Sequence, residues 1–176
     1  MKIKAGASAL LLSLAFTTLT GCSMNDKDSG LPSSGISTTH DAADAAEKVS
    51  SELYDLVGVK GMATKTGAGV GHCGSDKDPE KYFTVFHPWS FVPAAPAQLE
   101  GVMERLKNEM PKHGWKIVSF GPDTSKNKNV TIVADNDAKK FSVEISHHAK
   151  DDEPKLSIFV TSGCYQIPDG EKLERF

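Results

Sequence analysis

Six histidines, scattered carboxylates, three cysteines and one glycine-rich stretch are the parts of this 176-residue chain whose types could do chemistry. A zinc site needs ligands preassembled at short spacing, as in H-E-x-x-H or C-x-x-C. His40, His72, His87, His113, His147 and His148 contain no such pair, so no metal is expected. His147 and His148 are neighbours at a strand end, so their side chains should point to opposite faces and miss a common ion. Asp135-Asn136-Asp137 begins like a calcium loop, but Ala138-Lys139-Lys140 supplies neither the next ligand nor the glycine, which leaves a hairpin turn. Gly69-Val70-Gly71-His72-Cys73-Gly74 satisfies G-x-G-x-x-G as a string. A polar turn follows it where a dinucleotide site needs a helix, so no cofactor is expected. The stretch from Gly61 to Gly74 still reads as a mobile binding loop, because its glycines free the backbone to approach a ligand.

No G-x-S-x-G elbow is present, and no catalytic residue is assigned. Glu144 is the most interesting acid, since alternation puts it mid-strand on one face with Ser142, Ser146 and His148. Tyr82 to Phe91 concentrates the aromatic residues. Its alternation sends Phe83, Val85 and His87 one way and Tyr82, Thr84 and Phe86 the other. A strand apolar on both faces is expected to be central and covered on both sides. Left uncovered, its outer face would join Tyr82 or Phe86 to Val133 and Phe159 in an apolar patch suited to a partner or small ligand. Glu144, His148, Phe159 and Val133 are therefore the candidate ligand surface.

The elements that position these residues follow from periodicity. Ala42, Ala45, Ala46, Val49, Leu53 and Leu56 recur at helical spacing and predict a helix over Asp41 to Val57, with Thr38 or Thr39 as cap and Gly58 as stop. A second helix is predicted from Pro96, with Leu99, Val102, Met103, Leu106 and Met110 on one face, ending at Pro111 and Gly114. Strands are predicted at Tyr82 to Phe91, Trp115 to Phe120, Val130 to Ala134, and around Phe141-Val143-Ile145 and Leu156-Ile158-Val160. Short turns between the last four favour antiparallel pairing. The fold class expected is α+β in two layers, two helices packed on one face of a mainly antiparallel sheet of about five strands.

The N-terminus sets the context. Lys2 and Lys4 precede a short apolar run from Ala7 to Leu19, too short for the roughly 20 residues of a spanning helix but suited to an export signal. Leu19-Thr20-Gly21-Cys22 then resembles the lipobox of bacterial lipoproteins at all four positions. The resemblance implies cleavage before Cys22, a diacylglycerol on its sulfur and acylation of the new amino terminus, palmitate being typical. Two or more chains give stable anchoring where one does not. Residues 1–21 are read as a removed signal peptide and 22–39 as lipidated Cys22 plus a flexible tether. That tether is polar and would hold the domain about 20 to 25 Å from the lipid. Residues 40–176 are read as a single domain.

With Cys22 lipidated, Cys73 and Cys164 remain to pair, and outside the cytoplasm such a pair persists as a disulfide. Without the signal, 18 basic residues face 23 acidic ones, a formal net of −5, which argues against nucleic acid as a partner. Gly163-Cys164-Tyr165-Gln166-Ile167-Pro168-Asp169-Gly170 resembles the endings of small uncharacterised actinomycete lipoproteins. The function expected is a membrane-anchored extracytoplasmic binding or interaction module, its partner an envelope protein or small ligand. The alternative is an envelope-associated hydrolase using residues such as His72, Glu144 or His148.

Overall fold

The computed structural model describes residues 31–176. Cys22, the segment expected to be a signal peptide and the first part of the expected tether lie outside the described residues. The fold is α+β: a curled, mostly antiparallel sheet with two helices.

The strands are β1 (Ser33–Ile36), β2 (Gly61–Ala63), β3 (Gly69–His72), β4 (Tyr82–Pro93), β5 (Lys116–Pro122), β6 (Val130–Asn136), β7 (Phe141–His148), β8 (Lys155–Ser162) and β9 (Cys164–Gln166). Their order is β1-β9-β4-β8-β7-β6-β5, and β2 and β3 both pair with β4. The five predicted strands are β4 to β8, and the meander β5 to β8 is antiparallel throughout. Four short strands were not expected. Ser33–Ile36 lies in the polar stretch expected to be tether, yet it pairs in parallel with β9. Gly61–Ala63 and Gly69–His72 lie inside the stretch read as a mobile loop, yet both hydrogen-bond to β4.

α1 (Thr39–Val57) begins where Thr38 Oγ1 accepts from the Asp41 amide at 3.2 Å, one of the orphan donors of a first turn. It ends at Gly58, whose φ of 63° is the left-handed cap conformation. The Arg105 guanidinium donates to the Val57 carbonyl there, joining the two helices. The second predicted helix is divided. A 3-10 turn at Pro96–Leu99 precedes Gly101, whose φ of 69° breaks the helical path. α2 (Val102–Glu109) follows, and a second 3-10 turn spans Met110–His113.

The inner face of the sheet carries Val85, Phe91, Ile132, Val143, Ile145, Ile158 and Val160, which meet Ala46, Val49 and Leu53 of α1 and Leu106 of α2 in one core. Alternation along β4 to β8 therefore reads directly as inner and outer. The outer face of β4 is covered only in part, Thr84 being buried there while Pro88 is exposed. Phe86 is half-buried and Phe159 is 45% exposed, so the expectation of a strand covered on both sides fails because both helices sit on the inner side.

Cys73, just after β3, and Cys164, the first residue of β9, are joined as a disulfide with Cα atoms 5.5 Å apart. The bridge ties the β3 end and the C-terminal edge together, and β1 rides on that edge. Cys164 donates its amide to the Pro32 carbonyl at 2.7 Å.

Candidate functional site

Register assembles the outer surface row by row. Val133, Glu144, Phe159 and Pro88 are direct partners across β6, β7, β8 and β4, so three of the four predicted ligand residues stand side by side. The next row along is Thr131, Ser146, Ser157 and Ser90, a line of hydroxyls in which Thr131 Oγ1 and Ser146 Oγ are 2.8 Å apart. On the other side Phe86 stacks on Phe159, with centroids 6.1 Å apart. His148 lies four residues beyond Glu144 on the same face. Its Nδ1 is 3.8 Å from Asp151, which also faces Lys155 Nζ at 3.8 Å.

These rows form the floor of a groove of about 600 Å³ whose lining includes Glu144, Ser146, His148, Ser157 and Phe159. Val133 adjoins Glu144 without lining the groove. One wall is the segment between β2 and β3, through Thr64 and Thr66. The other holds Asp123, in the β5–β6 turn. Asp123 accepts from the Ser125 hydroxyl and amide and from the Asn129 side chain and amide, and these bonds, the Ser125 hydroxyl foremost, hold its carboxyl below the usual range. The groove thus has a fixed negative wall, an exposed Glu144 carboxylate, a hydroxyl floor and an apolar step at Phe159.

His72 is not part of it. It pairs opposite Phe83, five residues along β4 from Pro88, which is about 17 Å at ordinary strand rise. It faces Arg175, whose guanidinium lies 3.4 Å from Nδ1. His147 turns to the inner side, as neighbouring strand residues must. Burial holds its pKa below the usual imidazole value, and the nearby His148 adds to the effect.

A second concavity lies on the inner side, and sequence reasoning missed it. Between α1 and β4 a cleft of about 290 Å³ is lined by Glu47, Ser50, Ser51, Tyr54 and Asp55 of the helix and by Ala63, Thr64, His87 and Trp89. Ser50 Oγ lies 2.8 Å from His87 Nδ1, and His87 Nε2 lies 2.8 Å from the Thr66 carbonyl. The carbonyl can only accept, so Nε2 carries the proton and Nδ1 accepts from the Ser50 hydroxyl. This fixes the tautomer and latches the β2–β3 segment to α1. The segment is free to bulge there because Pro88 has no N–H to offer an adjoining strand, and Thr66 Oγ1 donates instead to the Pro88 carbonyl at 2.6 Å. Glu47 adds a further tie, its Oε1 accepting from the Ala68 amide at 3.1 Å.

Trp89 borders the cleft, 6% exposed, with its ring 6.3 Å from that of Tyr54. Its Nε1–H is the one buried side-chain polar atom among the described residues without a hydrogen-bond partner. Among those residues no group of three or more His, Cys, Asp or Glu side chains is placed to hold a metal ion, and no helix is long and apolar enough to cross a membrane. No family model, curated protein or solved structure matches this chain.

Proposed function

We propose that this protein is an extracytoplasmic bacterial lipoprotein, anchored through Cys22, whose folded domain is a binding module with the outer groove as its contact surface. The observation that carries the reading is the uncovered sheet face on which Glu144, His148 and Phe159 line one groove. A carboxylate flanked by apolar side chains and followed by a line of hydroxyls offers acceptors, donors and apolar area together, which is the composition of a recognition surface. The Cys73–Cys164 pair supports an oxidising compartment. The test is a photo-crosslinking amino acid placed at Phe159 in the producing cell, with Lys172 as the control position. A discrete adduct at position 159 that Glu144→Lys abolishes supports the reading. Equal crosslinking at both positions contradicts it.

The alternative, an envelope-associated hydrolase, is favoured by a different observation from the one sequence reasoning used. His72 lies apart from Glu144 and His148, but Ser50 and His87 have the hydrogen bond of a serine activated by a base, with the Thr66 carbonyl orienting the imidazole. A fluorophosphonate probe would label Ser50 under this reading, and Ser50→Ala would abolish the label. An unlabelled wild-type protein contradicts it.

A further inference from the structure

Trp89, which borders the inner cleft, has a buried polar atom that the fold leaves unsatisfied. A buried N–H without an acceptor costs about 1 to 3 kcal/mol, and native structures rarely keep one without a use. Trp89 Nε1–H is such an atom, and the groups that line the cleft beside Trp89 restrict what ligand could satisfy it. Glu47 and Asp55 stand at the helix side of the cleft as acceptors, and Glu47 is held in place by the Ala68 amide. A carboxylate or phosphate ligand would satisfy the indole but meet these two acids. An ammonium ligand would satisfy the acids but set a positive charge against the indole N–H.

A hydroxyl group meets both demands, because its oxygen accepts from the indole while its proton goes to a carboxylate. The cleft supplies the remaining contacts of a ring bearing several hydroxyls. Tyr54 and Trp89, ring centroids 6.3 Å apart, border it with apolar surface for C–H bonds, and Ser51 and Thr64 add polar groups. Access depends on Tyr54. Its ring stands 6.3 Å from that of Trp89, tilted by 46°, and edge-on to Phe91 at 5.8 Å, while its hydroxyl reaches the Gly61 carbonyl only at 3.5 Å, a weak polar tie. We propose that the cleft between α1 and β4 binds a neutral polyhydroxyl ligand, a pyranose ring, with Tyr54 turning aside so that a ligand hydroxyl reaches the Trp89 indole.

The test is an NMR titration of the folded domain that follows the Trp89 indole N–H, whose peak is assigned by its loss in Trp89→Phe. Glucose, mannose and N-acetylglucosamine are titrated to about 10 mM, ten times the weak-binding range near 1 mM. Cellotriose and chitotriose form the second arm, and choline and acetate the charged controls. The expected result is a saturable downfield shift with at least one sugar, weakened about tenfold by Asp55→Asn. Asp55→Asn alters an exposed residue, and unchanged melting confirms that the variant folds. Tighter binding of a trisaccharide than of its monomer identifies a glycan chain as the source, and equal binding identifies a free sugar. A flat titration with every sugar overturns the proposal, as does a shift produced by choline or acetate alone. Glu144→Gln leaves the titration unchanged, which separates this site from the outer groove.

Discussion

Cutting the Cys73–Cys164 bridge is the perturbation whose size can be worked out most fully. The two residues are 91 apart in sequence. In the chain-entropy description the cross-link removes about 15 to 16 cal/mol/K from the unfolded ensemble for a loop of that length, or about 4.6 kcal/mol at 25 °C. Both cysteines are buried, so a double Cys→Ala replacement, which keeps the site apolar, isolates the cross-link better than a serine pair. For the 146 described residues an unfolding entropy of roughly 0.3 kcal/mol/K converts this to a fall in Tm of about 15 °C. The assay is urea unfolding of the oxidised wild type, the wild type with reductant, and the double variant, followed by far-UV circular dichroism. The loss should appear as a lower midpoint together with a larger m value, because the opened chain exposes more surface on unfolding. The reduced wild type and the variant should agree. A midpoint that reductant leaves unmoved would refute the reasoning, since the bridge would then be absent or would not constrain the unfolded chain.

Gly163→Ala tests the edge that carries β1. A Cβ there would collide with the Pro32 carbonyl and stand 2.7 Å from Ser34 Oγ, so β1 must move off, at a cost of about 1 to 3 kcal/mol. Hydrogen exchange should rise at Ser37, whose amide donates to Gln166, while core strands stay protected. Ser50→Ala leaves His87 Nδ1 buried without its partner and should destabilise by about 1 to 3 kcal/mol, with faster exchange at Ala68 on the latched segment. The lowered pKa of His147 gives a pH dependence of definite sign. The unfolded chain protonates this residue more readily than the folded one, so stability is full above the ordinary value of 6.5 and falls as pH drops below it. Urea midpoints of wild type and His147→Gln, compared across that range, should converge at the lower pH.

The parts of the fold that announced themselves are those with local periodicity. α1 was legible because Ala42, Ala46, Val49 and Leu53 repeat at helical spacing over about three turns, and β7 and β8 because apolar and polar residues alternate along Phe141–His148 and Lys155–Ser162. β1, β2, β3 and β9 have three or four residues each, the first three containing glycine, and exist because β4 and the disulfide-tied edge offer them partners. No local pattern encodes such recruitment. The outer groove was half legible for the same reason. Alternation placed Glu144, Ser146 and His148 on one face, while the wall from Thr64 and Thr66 depends on Pro88 opening a gap in the ladder.

The inner cleft draws on residues from α1, β4 and the segment between β2 and β3, so only its ingredients could be seen. One signal was available. His87 shares the inner parity of Phe83, Val85 and Phe91, and a histidine in an apolar row needs a buried partner. Ser50, interrupting the apolar stripe of α1 between Val49 and Leu53, is that partner.

Anchoring through Cys22 is the claim on which the proposed function stands, and the intact mass of the protein extracted from membranes of the producing cell tests it most directly. The account predicts a chain beginning at Cys22 and heavier than its sequence by a diacylglycerol and an acyl group. A chain that begins elsewhere, or that carries Cys22 unmodified, would contradict it.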